Sequence, residues 1–336
     1  MCCDPITMIS PLILFKRHTW SSARHSLPHF ATAVCALFLV LAFQIGCSPS
    51  STPPEVEKNR QVRKAAAVPP AAETHSEPCD PNALKSLHVA SYNIRAGKGT
   101  DGIRDLSRTA KLLRNTDFVG MQEVDNGRLR SGFEDQAEVI ASYLGHDYAK
   151  HFPAETYTLL QGGGSYGNAA TSSLRVLESD MFDLPRILNK PLRRLAWVKF
   201  EVNCEPVHAF VIHVTNAPGT SGTVQWTQIE AALAIIDEKV GNPPEPHIFM
   251  GDFNALPNGY IVKQLRKRFT DALLTRAPET YAGPHVDYIF VAGDLEVLEA
   301  GHVFDGSSDH PAVFTTLRPP VHALPLKRDK PADVRQ

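Results

Sequence analysis

His247-Ile248-Phe249-Met250-Gly251-Asp252-Phe253-Asn254-Ala255 decides how this chain is read. His247–Met250 reads as a short buried strand, and Gly251 ends it. Asp252 and Asn254, two residues apart on the strand-to-loop turn that follows, can point towards the same space. Alone, such a D-x-N is an Asx turn that ties loop backbone. Its meaning depends on what the rest of the chain places around it.

Outward from this stretch, strand-like and helix-like segments alternate. Leu87–Tyr92, Phe118–Met121, Val286–Val291 and Ala312–Leu317 read as further strands. Leu195–Val202 and Val207–Val214 flank Asn203-Cys204-Glu205-Pro206 and read as a hairpin. Ile103–Arg114 has helical spacing, with Asp101 as the expected cap. Phe133–Leu144, ended by Gly145, and Gln225–Val240 are the other predicted helices. Mixed sheets with helices outside, an α/β architecture, fit this order. No internal repeat is visible.

Both ends have a different character. Lys16, Arg17 and Arg24 precede the apolar run Phe30–Ile45, and Gly46-Cys47-Ser48 follows. That order predicts a leader over residues 1–47 (Met8 is an alternative start) and export to the periplasm or cell surface; the cysteine after a small residue resembles the lipobox of bacterial lipoproteins, which implies a lipid on Cys47. An uncleaved membrane anchor is the alternative, because the run falls just short of a span. Residues 48–83 are rich in Pro, Ala, Ser, Glu and Lys and predict a disordered tether, and 319–336 a flexible tail. The folding unit is then 84–318, about 235 residues, enough for one sizeable core. Of six cysteines, Cys79 and Cys204 are left for the exported domain, and a disulfide between them is expected. No CxxC or Cys/His spacing suggests zinc. A formal net charge of −2 speaks mildly against a protein that coats duplex DNA.

Polar residues gather at five strand ends: Ser91-Tyr92-Asn93-Ile94-Arg95, Met121-Gln122-Glu123-Val124, Val211-Ile212-His213, Gly251-Asp252-Phe253-Asn254-Ala255 and Ser307-Ser308-Asp309-His310-Pro311. Together, in this order, they resemble the endonuclease/exonuclease/phosphatase superfamily, which includes DNase I, abasic-site endonucleases, neutral sphingomyelinases and inositol polyphosphate phosphatases. The resemblance spans Leu87 to Leu317. It implies a DNase I-like, four-layer α-β-β-α sandwich of two mixed β-sheets. It also implies Mg²⁺-dependent phosphoester hydrolysis, with Mn²⁺ as a possible substitute.

Such chemistry needs a cation to neutralise charge on phosphoryl oxygens, a base for water and donors aimed at the transition state. Glu123, Asn93 and Asp309 are the candidate metal ligands, since Mg²⁺ prefers oxygen donors. By resemblance, Asp252 positions or deprotonates water and Asn254 donates to the developing oxyanion. His310 contacts the phosphate, and Asp287 accepts from its other ring nitrogen. His213 matches the family's strand-end histidine, but the Gly162–Asn168 segment lacks the acidic partner of DNase-like members. Tyr166, Asn168 and Arg95 are candidate substrate contacts. By itself the run Gly162–Gly164 reads as a flexible loop.

The expected partners are a phosphoester substrate and a membrane bound through the N-terminal segment, with the protein a monomer. The substrate stays open among lipid headgroups, small diesters, inositol phosphates and nucleic acid. A secreted DNase I-like endonuclease is one alternative, and a non-catalytic binding lipoprotein another.

Overall fold

Along Leu87–Asn93 (β1), Leu87 and Val89 enter one buried cluster and Ala90 and Tyr92 another. A strand's period of two makes this split, so β1 has packing layers on both faces. Phe118–Asn126 (β2), parallel to β1, repeats the pattern: Phe118 faces the first cluster, Val119 and Met121 the second. The computed structural model describes residues 80, 83–218, 222–277 and 285–320, all within the compact unit Glu73–Gln336. The leader, most of the tether and most of the tail lie outside the described residues.

Two six-stranded sheets form the centre. With β3 (Tyr148–Thr156), β4 (Ser165–Ser172), β11 (Glu296–Val303) and β12 (Ala312–Arg318), the first runs β11-β12-β1-β2-β4-β3. The second runs β5-β6-β7-β8-β10-β9, built from β5 (Val176–Asp183), β6 (Arg194–Val202), β7 (Glu205–His213), β8 (His247–Asp252), β9 (Thr270–Asp271) and β10 (Asp287–Ala292). Each mixes parallel and antiparallel pairs. Helices α1 (Leu106–Leu112) and α2 (Gln136–Leu144) cover the outer face of the first sheet through Leu106, Ala137 and Ile140. Helices α3 (Thr223–Val240), α4 (Tyr260–Leu265) and α5 (Ala272–Arg276) join the other core through Ile229, Ile236, Val262, Leu265 and Leu273. The expected four-layer α-β-β-α sandwich is what forms. Gly120 marks a close approach of the sheets, where a Cβ would come within 2.7 Å of Met250 Sδ and Val211 Cγ2.

Several boundaries differ from the sequence reading. Helix α1 starts three residues later than expected, because Asp105, not Asp101, accepts the cap bond from Ser107 N–H. Asp101 instead pairs with Arg108. The β6–β7 turn is two residues, Asn203-Cys204, both with positive φ (51° and 69°), which suits the twist of a tight hairpin. Cys204 is disulfide-bonded, and Cys79, its expected partner, lies outside the described residues. The run Gly162–Gly164 follows a fixed course: all three residues are left-handed, and Arg128 Nη1 donates to Gly163 O at 3.1 Å.

Candidate active site

Parallel β1 and β2, parallel β7 and β8, and the starts of β10 and β12 all finish at one end of the sandwich. A row of three residues crosses the second sheet there. His213 is level with Asp252 across β7–β8, and Asp252 is level with Asp287 across β8–β10. Neighbouring rungs place side chains on the same face, so these three converge. Gly251 makes the row possible: at φ 143°, a Cβ on it would lie 1.9 Å from Ile212 O.

The first sheet supplies the facing residues. Asn93 ends β1, and Glu123 sits in β2 at an irregularity in the β2–β4 register, with φ 58°. The bulge breaks the pleat and turns Glu123 towards the site. Asn93 Nδ2 donates to Glu123 Oε1 (3.3 Å) and to Asp252 Oδ2 (3.1 Å), bridging the two sheets. Asn93 Oδ1 accepts from Arg95 N–H (3.1 Å). In this arrangement Asn93 presents its amino group, not its oxygen, to the carboxylates.

Serine contacts pin the segment before β12. Ser308 Oγ donates to Asn93 O (2.7 Å), and Tyr92 Oη pairs with Ser307 Oγ (2.8 Å). The same segment carries Asp309, whose Oδ2 lies 3.2 Å from Arg95 Nε, and His310. His310 Nδ1 pairs with Asp287 Oδ2 at 2.8 Å, and its Nε2 lies 3.9 Å from Asp252 Oδ2. The buttressed imidazole read from the sequence thus has its carboxylate within reach.

Asp252 performs two tasks with two oxygens. Oδ1 accepts from Asn254 N–H (2.9 Å), the Asx turn foreseen for an isolated D-x-N. Oδ2 faces Asn93, His213 (3.3 Å) and His310. Asn254, at φ 47°, gives one amide hydrogen to Val214 O (2.9 Å). Asn168 donates to Arg194 O (3.0 Å) and Val211 O (3.2 Å), tying β4 to the second sheet.

Charge is crowded here. Burial, then the field of Asp287, pushes Asp252 up to about 7. Burial also raises Asp287, against the hydrogen bond from His310. Burial opposes charge on His310, but Asp287, Asp252 and Asp309 outweigh it and hold the imidazole up to about 9. Burial, with Arg193 and His310 nearby, drives His213 well below the usual imidazole range, so it is neutral near pH 7. Arg193 Nη2 lies 3.3 Å from His213 Nε2, and Arg193 also bonds Tyr166. Sequence reasoning missed Arg193. Its one signal is the Arg193-Arg194 pair that opens the predicted strand 195–202.

Two donor sets suit a cation. Asp252, Asp287 and His310 bring ligand atoms within 4.8 Å of one another. Glu123 and Asp252, which both accept from the Asn93 amide, are a pair of oxygen donors that leaves the Asp287–His310 hydrogen bond intact. The all-oxygen character of that second set fits Mg²⁺ or Mn²⁺. The buried, unpartnered Asp287 Oδ1 belongs to the first set, in a cluster whose like charges a cation would relieve.

The model of the Endonuclease/Exonuclease/phosphatase family matches residues 90–310. The chain belongs to this family. Solved structures of similar fold include an endonuclease/exonuclease/phosphatase from Beutenbergia cavernae DSM 12333. It has 21% identity and a TM-score of 0.58, covering 70% of this chain and 72% of that one. A mannosyl-6-phosphatase from Bacteroides thetaiotaomicron VPI-5482 has 18% identity and a TM-score of 0.54, over 69% and 99% of the two chains. The human Nocturnin catalytic domain has 19% identity and a TM-score of 0.55, over 69% and 93%. No curated protein matches the chain by sequence. Endonuclease/exonuclease/phosphatase proteins include hydrolases of phosphoester bonds, and the described site lies inside the matched region.

Proposed function

We propose that this protein is a divalent-cation-dependent phosphoester hydrolase, using Mg²⁺ or Mn²⁺. The carrying observation is the Asn93 bridge, which holds Glu123 of one sheet and Asp252 of the other around one point. Glu123 would hold the cation, with Asp252 or Asp309 beside it. The bound ion would neutralise charge on the phosphoryl oxygens.

The chain's own groups supply the rest. Asp252, held near neutrality, suits the removal of a proton from attacking water. His310, kept protonated by Asp287, suits donation to a phosphoryl oxygen from Nε2. The second amide hydrogen of Asn254 would serve the same charge. His213 is neutral, so its role is to bind phosphate rather than to protonate a leaving group. Arg193 bonds both His213 and Tyr166, and Arg95 pairs with Asp309, so these cations would add to phosphate binding. A net charge of −2 favours a small phosphoester over duplex DNA.

The test uses full-length protein with bis-p-nitrophenyl phosphate, phospholipids, inositol phosphates and plasmid DNA, with and without Mg²⁺ or Mn²⁺. Glu123→Gln should abolish cation-dependent turnover while the circular dichroism spectrum stays unchanged. Normal turnover of that variant at saturating cation would overturn the assignment. The order basic segment, apolar run, Gly46-Cys47 supports export and attachment through Cys47. Labelled fatty acid should enter the wild type and not Cys47→Ser; equal labelling would refute that attachment.

A further inference from the structure

Two 3₁₀ turns, Leu129–Ser131 and Leu159–Gln161, lie side by side at the end of the sandwich that carries the site. Leu129 N–H donates to Gly162 O (2.9 Å), and the Arg128 guanidinium sits 3.4 Å from the centre of the Tyr157 ring. A Cβ on Gly164 would meet the Gly127 backbone at 2.4 Å, so the two turns are interlocked. This scaffold displays apolar groups. Leu129 is 61% exposed, Phe133 60%, Leu159 91% and Leu160 101%. Phe133 is held at φ 64°, a costly conformation for a residue with a side chain. Adjoining large apolar side chains on a fixed scaffold mark an interaction surface.

We propose that the Leu129, Phe133, Leu159 and Leu160 tip docks on a lipid bilayer and turns the active site towards phosphoester headgroups. The substrate class in this proposal rests on the phosphoesterase reading; the docking does not. The tip's shape favours lipid over a partner helix, because almost fully exposed leucines on a turn have no walls to form a groove. Charge favours it too. Arg130 is neutralised by Asp125 and Arg128 is buried against Tyr157 and Gly163 O, but Arg104 is exposed and has no ion-pair partner among the described residues. This exposed guanidinium, close enough to Arg130 to feel its charge, suits lipid phosphates above acyl chains. The tip adjoins the site: the Arg130 guanidinium lies 5.5 Å from the Tyr166 ring, and Tyr166 feels the charge of Glu123.

The rest of the chain can deliver the domain there. Leu84 N–H donates to Asn203 Oδ1 at the β6–β7 turn, so the described chain starts at the end opposite the site. The roughly 30 residues from Ser48 to Cys79 can span up to about 100 Å. A nine-residue strand rises about 30 Å. A domain attached through the apolar run Phe30–Ile45 can therefore turn its far end to the same bilayer. Tethering lets even weak docking persist.

The test uses full-length Leu160→Trp protein, with Tyr143→Trp at the far end of α2 as control. Both are attached to vesicles of phosphatidylcholine and phosphatidylglycerol in equal parts, with or without acyl-brominated lipid. After subtraction of the signal of wild-type protein on the same vesicles, whose Trp20, Trp197 and Trp226 also emit, the tryptophan at 160 should shift to the blue and lose fluorescence to the brominated lipid, and that at 143 should not. Adding Leu129→Asp and Leu159→Asp should abolish the quenching while cleavage of soluble bis-p-nitrophenyl phosphate stays unchanged. Quenching without any phosphoester cleavage would support docking and overturn the substrate class. A probe at 160 that is unquenched on vesicle-attached protein overturns the proposal. An unquenched probe that is nevertheless blue-shifted would mean that protein, not lipid, covers the tip.

Discussion

At the scale of single residues, Asp287 does work that no surface carboxylate could. It is fully buried, opposite Asp252, and bonded to His310 Nδ1. Its negative charge is tolerable only because the imidazolium lies against it. The sign of the resulting pH dependence follows. His310 is raised above its unfolded value, to about 9, so its stabilisation is complete below about pH 6.5 and is lost as pH rises through 9. Asp252, raised to about 7, adds a loss at lower pH, between the ordinary carboxylate range and 7. Neutral His213 opposes the Asp252 effect alone, since its contribution is lost as pH falls below the usual imidazole range. Cation-free protein should therefore melt at falling temperature from pH 7 to 9 in scanning calorimetry. Asp287→Asn should flatten that fall and cut turnover by about 10²-fold or more. A variant with wild-type slope and rate would refute the pairing. Glu123, Asp252, Asn254 and His310 were legible in the sequence because each sits in a short polar motif within or beside an apolar strand. Arg193 was not, because its meaning comes from a partner, His213, twenty residues away and across a hairpin.

At the scale of elements, apolar strands buried on both faces were legible, whereas the edge strands and the small-residue interior strand β4 were not. Ile248, Phe249 and Met250 in β8 are wholly buried and read as a strand from composition alone. In contrast β5, Val176-Leu177-Glu178-Ser179-Asp180-Met181-Phe182-Asp183, is a mostly exposed edge strand whose polarity masks its pairing with β6. The bulge that aims Glu123 was equally invisible, since positive φ in a glutamate follows from cross-strand register and not from its neighbours in sequence. Gly251 is where one element most constrains another. Gly251→Ala would force a methyl into Ile212 O and should cost about 3 kcal/mol or more, read as a lowered urea midpoint. An unchanged midpoint would show that β7 and β8 can part at that rung, and the His213–Asp252 row would lose its basis.

At the scale of the whole molecule, the site belongs to neither sheet. Glu123 comes from one and Asp252 from the other, and the Asn93 amide spans them at 3.3 and 3.1 Å. Asn168 makes a second tie between the sheets, to Arg194 O and Val211 O. Hydrogen bonds fail over a few tenths of an ångström, whereas an apolar interface between sheets can slide that far and stay dry. Catalytic competence is thus a gauge of how well the two halves are seated. On slow heating, turnover should disappear several degrees before the near-ultraviolet circular dichroism signal of the buried aromatic residues, and return on cooling. Simultaneous loss of both would mean that the halves part only when the whole sandwich melts. The Asn93 bridge makes the protein fragile in function while it is still sturdy in fold.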